Sequence, residues 1–283
     1  MKSVLAHNLL RKPVEVWLTE PPKQPGTLDL WVADQGSLSA GPVAPWPLLT
    51  KGTTDYFEGV PVAVSQRGEP IIGKLMAANY MVEGIMGSSR SSLLIALMLG
   101  AILDPLVVAE VYVMASNVDY DPLRPRLRAL VKGDDDEDIE AALRALRSLR
   151  DEVTLRGKLL EELGEGATKV TRELALKDAR MRPKVVVFDE CHELFMHKEY
   201  GKEAAELAIK VMKKARKTAI TLVWVTVSPT RTASRATSPA TPRTVWRSRL
   251  ATPWRTTGSS APAGTRRVSL RPRWFPARTS APP

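Results

Sequence analysis

The run Lys184-Val185-Val186-Val187-Phe188-Asp189-Glu190 sets the reading of the whole chain. Three β-branched residues and an aromatic in succession make a short apolar segment of the kind buried on both faces of a parallel sheet. It stops at two adjacent carboxylates. Magnesium-dependent phosphoryl chemistry needs this pair: Asp189 at the strand tip to hold the metal, Glu190 to polarise an attacking water. The plainer alternative is a strand that ends in a solvated acidic turn.

About a hundred residues upstream lies the second half of such a site. Asn79–Glu83 reads as a short strand, and Ser91–Leu103 as an apolar helix closed by Asp104-Pro105. Between them runs Gly84-Ile85-Met86-Gly87-Ser88-Ser89-Arg90-Ser91-Ser92. In a parallel sheet, backbone N–H groups converge with the positive end of a helix dipole at such a strand-to-helix turn, and bind phosphate there. The phosphate-loop template is Gly, four residues, Gly-Lys-Ser/Thr. Gly84 and Ser91 match it, whereas Ser89 replaces the second glycine and Arg90 the lysine. Spacing alone does not separate this stretch from an ordinary Gly/Ser turn.

The rest of the chain divides around this core. Leu106–Met114 and Ile220–Thr226 read as further strands, and Asp134–Glu162, Thr168–Arg180 and Ala204–Lys217 as helices, so an α/β fold with a parallel sheet is expected over 74–230. Residues 1–73 are rich in Pro, Gly and Trp, with short runs at Val14–Leu18, Leu28–Val32 and Val60–Val64; they read as a small β-rich or mixed module. The net charge of +10 is misleading until mapped. Of 41 basic residues, 11 are arginines within 231–283, a segment without any acidic residue, which leaves 30 basic against all 31 acidic residues in 1–230. With eight prolines and few aliphatic residues, the tail cannot bury enough apolar surface to offset its ordering entropy and is expected to be disordered. It reads either as a basic arm for phosphates or as an end without a role. The single cysteine, Cys191, rules out a disulfide framework. No apolar run reaches the roughly 18 residues of a membrane span, and a cytoplasmic protein is expected.

Taken together, four stretches resemble the FtsK/SpoIIIE-type DNA translocases, in particular their actinobacterial plasmid-transfer and cell-division-like branch. They are WPLLTKGTTDYFEGVPVAVSQRG, ANYMVEGIMGSSRSSLLIALMLGAILDP, VVVFDECHELFMHKEYGKEAAELAIKVMKKAR and ITLVWVTVSPT, between Trp46 and Thr230. The resemblance implies a RecA-like P-loop NTPase core, ATP and Mg²⁺ as cofactors, double-stranded DNA as partner, and assembly as a homo-hexamer. Many members carry an upstream membrane segment, which this sequence does not show. Carried over by position, Gly84, Gly87, Ser88, Ser89, Arg90, Ser91 and Ser92 would form the phosphate loop. Arg90 stands where the β/γ-phosphate lysine belongs, and Ser91 where the hydroxyl ligand of Mg²⁺ belongs. Asp189 would hold the metal, Glu190 would activate water, and Thr226 with Val227 would end the sensor strand, where the family has Thr-Gln.

Several departures touch the nucleotide. Ser89 adds a side chain where backbone must approach phosphate, the broad guanidinium of Arg90 replaces a compact ammonium, and Val227 offers no hydrogen bond. Slow hydrolysis is the expectation. The resemblance stops at Thr230, and the tail has no Asn, Ile, Lys, Met or Tyr, residues with AT-rich codons. Codons for Arg255–Pro262 can be chosen so that a neighbouring frame reads Ala-Asn-Asp-Gly-Leu-Leu-Gly-Ser, like a continuing family core. The tail therefore reads as a frameshifted remnant, and a sheet cut short at Thr230 would expose an apolar edge.

Other constellations carry less. His192, Glu193 and His197 invite a zinc reading, but the histidines are five apart, where one helical face needs four. Cys191 reads as a small core residue. Lys210, Lys213, Lys214, Arg216 and Lys217 read as a solvated helix face or, in a ring motor, as a face toward DNA. Asp119 and Asp121 read as an ordinary loop or as lining of the nucleotide pocket.

Overall fold

Each apolar run of the core becomes a strand of one parallel sheet. In chain order these are β5 (Tyr80–Gly84), β6 (Val108–Val113), β7 (Leu127–Lys132), β8 (Lys184–Asp189), β9 (Ile220–Thr226) and β10 (Thr244–Ser248), and across the sheet the order is β10-β5-β9-β8-β6-β7. Every neighbouring pair is parallel. This computed structural model describes residues 2–20, 26–36, 45–65, 69–84, 90–164, 166–226 and 244–248, without the side chains of 84, 90 and 244–248.

The central strands β8 and β9 are buried at every position, which is why they read as continuous apolar runs rather than alternating ones. Odd and even residues serve opposite faces. Val185, Val187, Val223 and Val225 join a core with the helix Arg90–Ile102, here α2, through Leu94, Leu97 and Met98. Val186, Phe188, Leu222 and Trp224 join a second core with the helices Asp136–Glu162 (α3) and Gly201–Ala215 (α6). The buried stripe of α3 contains Ile139, Leu143, Leu146, Leu149 and Val153, that of α6 Ala204, Leu207, Ala208, Val211 and Ala215; both follow helical periodicity. The acidic first turn of α3, Asp136, Glu137 and Asp138, complements the helix dipole.

On that second face Tyr112, Phe188 and Trp224 form a ladder across β6, β8 and β9, with ring centroids 5.5 and 4.7 Å apart and near-parallel planes. Each ring lies within two residues of the C-terminal end of its strand, so the ladder stiffens the edge where the carboxylates emerge. At the opposite end Lys184 is ion-paired with Glu152 of α3, and the buried Arg156 donates to the Thr218 and Arg182 carbonyls at 2.6 and 2.7 Å. Burial works against the charge on Glu152, yet Arg156 and Lys184 outweigh it and hold the carboxyl below its ordinary value.

The N-terminal part contributes a first helix, α1 (Lys2–Asn8), and two antiparallel hairpins, β1 (Val16–Thr19) with β2 (Asp29–Val32) and β3 (Val60–Val64) with β4 (Pro70–Gly73). Val60 and Val62 belong to the core with α2. Contact there is so close that a Cβ on Gly100 would lie 2.6 Å from that of Val60.

Three sequence expectations change. Thr168–Arg180 is not one helix: α4 (Arg172–Lys177) ends at Asp178, whose carboxylate accepts the Arg180 N–H at 2.9 Å and starts a separate 3-10 turn, Ala179–Met181. A fifth helix, α5 (His192–Met196), follows the acidic pair. Nor does the sheet stop at β9, because Thr244–Ser248, inside the segment expected to lack structure, pairs with β5 from Tyr80 to Gly84. That pairing gives the outer edge of β5 hydrogen-bond partners. The remainder of 231–283 lies outside the described residues. Among the described residues no helix is long and apolar enough to cross a membrane.

Asp104, which closes α2, is fully buried. Its Oδ1 accepts the Leu106 N–H at 3.0 Å, and its Oδ2 accepts the Tyr56 N–H at 2.8 Å and Arg172 at 3.1 Å. Asp104→Ala leaves the Leu106 and Tyr56 N–H groups without this acceptor and Arg172 with Asp55 alone, and a loss of about 3 kcal/mol in urea unfolding is expected; a loss below about 1 kcal/mol would show that the carboxylate does not tie the N-terminal segment to the core.

Candidate functional site

Parallel strands send all their C-terminal ends to one edge, and the register fixes which residues meet there. Glu83 of β5 lies beside Thr226 of β9, and Asp189 of β8 beside Val113 of β6. β9 is the one strand between β5 and β8, so the end of β5 and the acidic pair stand about 10 Å apart. Gly84 is the last residue of β5 and Arg90 the first of α2, with Ser91 and Ser92 half-buried in its first turn. Gly87, Ser88 and Ser89, and also Val227, lie outside the described residues.

Asp189 ends β8 and is 4% exposed. The buried Tyr120 hydroxyl donates to its Oδ2 at 3.0 Å, and the Glu190 N–H to its Oδ1 at 2.9 Å. Glu190 takes a left-handed backbone, with φ at 52°, a conformation that disfavours residues with a Cβ and is held only when its surroundings enforce it. Here they do: the next N–H, of Cys191, donates to the Val225 carbonyl of β9 at 2.9 Å, and α5 begins at once. His192 stands next to the Glu190 side chain, its Nδ1 3.4 Å from both Glu190 Oε2 and Thr226 Oγ1, and its Nε2 3.0 Å from Glu193.

Tyr120 and His192 are the site residues that sequence reasoning missed. Tyr120 reaches Asp189 across 69 positions of chain, and no local pattern announces that contact. His192 was visible only as half of a zinc pattern. The two histidines of that pattern face different partners: His197 stacks on Tyr200 and lies 3.1 Å from Asp136. Asp121 accepts from Lys132 at 2.6 Å, and Asp119 is exposed.

As a magnesium site the donor set fits. Mg²⁺ takes one or two carboxylates, with substrate phosphate and water filling its other positions, rather than a cage of protein ligands. Asp189, its Oδ2 accepting from Tyr120, and the Ser91 hydroxyl in the first turn of α2 are the residues that would supply such a partial set, and each carboxylate oxygen accepts more than one bond.

No family model matches the chain, and no curated protein matches it. Solved structures do. The pCW3 conjugation coupling protein TcpA, in its monomer form with ATPγS, superposes with a TM-score of 0.53 at 17% identity, over 78% of this chain and 63% of that one. EssC (ATPases 2 and 3) from Geobacillus thermodenitrificans gives 0.51 at 14% identity, over 67% and 36%. The cytoplasmic domain of the type VII secretion ATPase EccC of Thermomonospora curvata gives 0.47 at 18%, over 69% and 24%. The chain thus spans from about a quarter to under two-thirds of these proteins' own lengths. The fold is that of a RecA-like P-loop ATPase.

Cys191 sits between the acidic pair and α5, fully buried. Burial, and then the Asp189 charge, push its thiol far up. No native reaction with a thiol reagent is expected, nor any rise between about pH 7 and 9, where an ordinary thiol ionises; denaturant should release one equivalent. Rapid labelling of the folded protein would contradict the packing at this edge.

Proposed function

We propose that the chain is an ATP-binding and DNA-binding protein of the FtsK/SpoIIIE type, by descent an ATP-driven translocase of double-stranded DNA in DNA transfer or chromosome segregation. Residues 1–73 would form its N-terminal module, 74–230 its ATPase core and 231–283 a frameshifted basic tail, in a protein of the cytoplasm. The observation that carries the reading is the meeting of three strand ends: β5 leading toward α2, β8 carrying Asp189 and Glu190, and β9 carrying Thr226. The likeness to TcpA, a conjugation coupling protein in a form with ATPγS, supports ATP as ligand and DNA transfer as setting.

In this reading α2 offers its N-terminal N–H groups and the Arg90 charge to the phosphates. Asp189 and Ser91 would hold Mg²⁺, whose charge would offset that of the phosphates. Glu190 orients and deprotonates the attacking water. His192 bridges Glu190 and Thr226, so water activation and the sensor strand share one side chain.

A second reading, a catalytically impaired remnant that at most holds nucleotide or DNA, is favoured for this particular molecule by Arg90 and Val227. A homo-hexameric ring belongs to the family; the chain's own assembly follows only if the tail does not disturb it. Sequencing the gene for a family-like neighbouring frame tests the frameshift.

The decisive assay is ATP hydrolysis with and without duplex DNA. Ser89→Gly with Arg90→Lys should raise turnover by about 10²-fold or more, the usual worth of a well-placed electrostatic donor. Glu190→Gln should abolish turnover while ATPγS still binds. Turnover of about 10 s⁻¹ or more in the unaltered chain, lost in Glu190→Gln, would reject the impaired reading. Absence of ATPγS binding in every variant would reject the nucleotide site.

A further inference from the structure

The sheet edge opposite the acidic pair carries a different charge pattern. There the C-terminal half of α3, residues 167–169 and the end of α6 enclose an open basin of about 1130 Å³. Six cations line it: Lys158, Lys169, Lys213, Lys214, Arg216 and Lys217. All six are exposed. Among the described residues none has a carboxylate within ion-pairing distance, although elsewhere Arg144, Arg147, Arg172 and Arg180 are each paired. One acidic residue, Glu161, lines the same basin, and its neighbour Glu162 acts on Arg180 instead.

Helix-dipole compensation explains Lys213 and Lys214, in the last turn of α6. It does not explain Lys158, which lies within α3, or Lys169, which lies in the loop after it. The walls are tied together: the Val170 N–H donates to the Lys217 carbonyl at 2.8 Å, and Arg156 beneath holds the Thr218 carbonyl. The basin is therefore a fixed concavity with unneutralised charge on its walls.

Gly157 marks the open side of the helical wall. It sits inside α3, where glycine is unfavourable, and a Cβ placed there would meet nothing within 4 Å. Among the described residues no neighbouring atom requires its lack of a side chain. It opens the basin at its helical wall, where a bulky ligand can approach backbone closely.

The geometry points to this basin as a docking surface for the phosphate backbone of duplex DNA, at the end of the sheet opposite the nucleotide edge. It rests on the reading of the chain as a DNA-binding protein and gives that reading a face. A concave wall of cations that have no ion pair among the described residues fits a ridge of regularly spaced phosphates, since each contact releases condensed counterions. β9 alone separates Thr218 from Thr226 by about 20 Å, so DNA and nucleotide occupy opposite ends of one rigid strand.

The test uses the full chain without nucleotide and a short fluorescein-labelled duplex, followed by anisotropy from about 50 to 200 mM NaCl. The variant Lys158→Ala/Lys213→Ala/Lys214→Ala/Lys217→Ala should bind at least about tenfold more weakly. Its slope of log affinity against log salt should be shallower by about 3 to 4, at roughly 0.9 per lost phosphate contact. A control with equal charge removed elsewhere, Lys51→Ala/Lys74→Ala/Lys198→Ala/Lys202→Ala, should stay within about threefold of the unaltered chain, and the arginine-rich tail is common to all. Gly157→Leu, which changes no charge, should weaken binding without a comparable change in slope. Binding by the basin variant equal to that of the unaltered chain, equal loss in the control, or full affinity in Gly157→Leu overturns the assignment. So does basin-dependent capture by phosphatidylserine vesicles beside basin-independent duplex binding. No duplex binding by the unaltered chain refutes the DNA-binding reading itself, whereas a failed ATPase assay leaves this result standing.

Discussion

The parallel hydrogen-bond ladder from β5 through β9 to β8 is the constraint on which the rest depends. Its register sets Glu83 beside Thr226 and Phe188 beside Trp224, so three chain segments far apart in sequence finish at one edge. Slipping β9 by one residue would invert every side chain on it, exchanging Trp224 and Leu222 for Val223 and Val225 between the two cores. Both faces are buried, so both oppose that slip. The site is precise because the cores are, and the aromatic ladder Tyr112–Phe188–Trp224 adds stiffness where it is most useful.

The two ends of the sheet handle charge in opposite ways. At the acidic edge, Asp189 is buried and held by a phenol and a backbone N–H, and Glu190 is turned by an enforced left-handed residue. At the other end, Lys184 and Arg156 are buried against Glu152 and fix α3 to the sheet, while the lysines above them have no ion pair among the described residues. Buried ion pairs of this kind add little net stability but are costly to break. They position α3, and with it one wall of the basin.

The strands that were legible in the sequence are those buried on both faces. β8, β9, β6 and β5 are short apolar runs, and burial leaves such a run no other reading. β7 escaped because it is an edge strand: Leu127–Lys132 includes Arg128 and Lys132, is only partly buried, and follows the proline-rich turn Asp121–Arg126. β10 escaped because arginine, serine and threonine around Val245 and Trp246 read as tail; its pairing comes from an unfilled edge on β5, a property of the sheet and not of the segment. The acidic pair at the end of β8, and a strand followed by a helix at β5 and α2, were readable from local chemistry. Tyr120 on Asp189 and His192 between Glu190 and Thr226 were not, since tertiary packing alone joins them.

The central claim is that the turn after Gly84 and the carboxylates after Phe188 serve one triphosphate. Paramagnetic broadening of backbone amides by Mn²⁺·ATP tests it directly, because Mn²⁺ would occupy the Mg²⁺ position and act only at short range. The account predicts that the amides of Ser91, Glu190 and Thr226 broaden together while those of Lys184 and Thr218, at the far edge, stay sharp. Broadening at only one of the two strand ends, or equal broadening at both edges of the sheet, would contradict it.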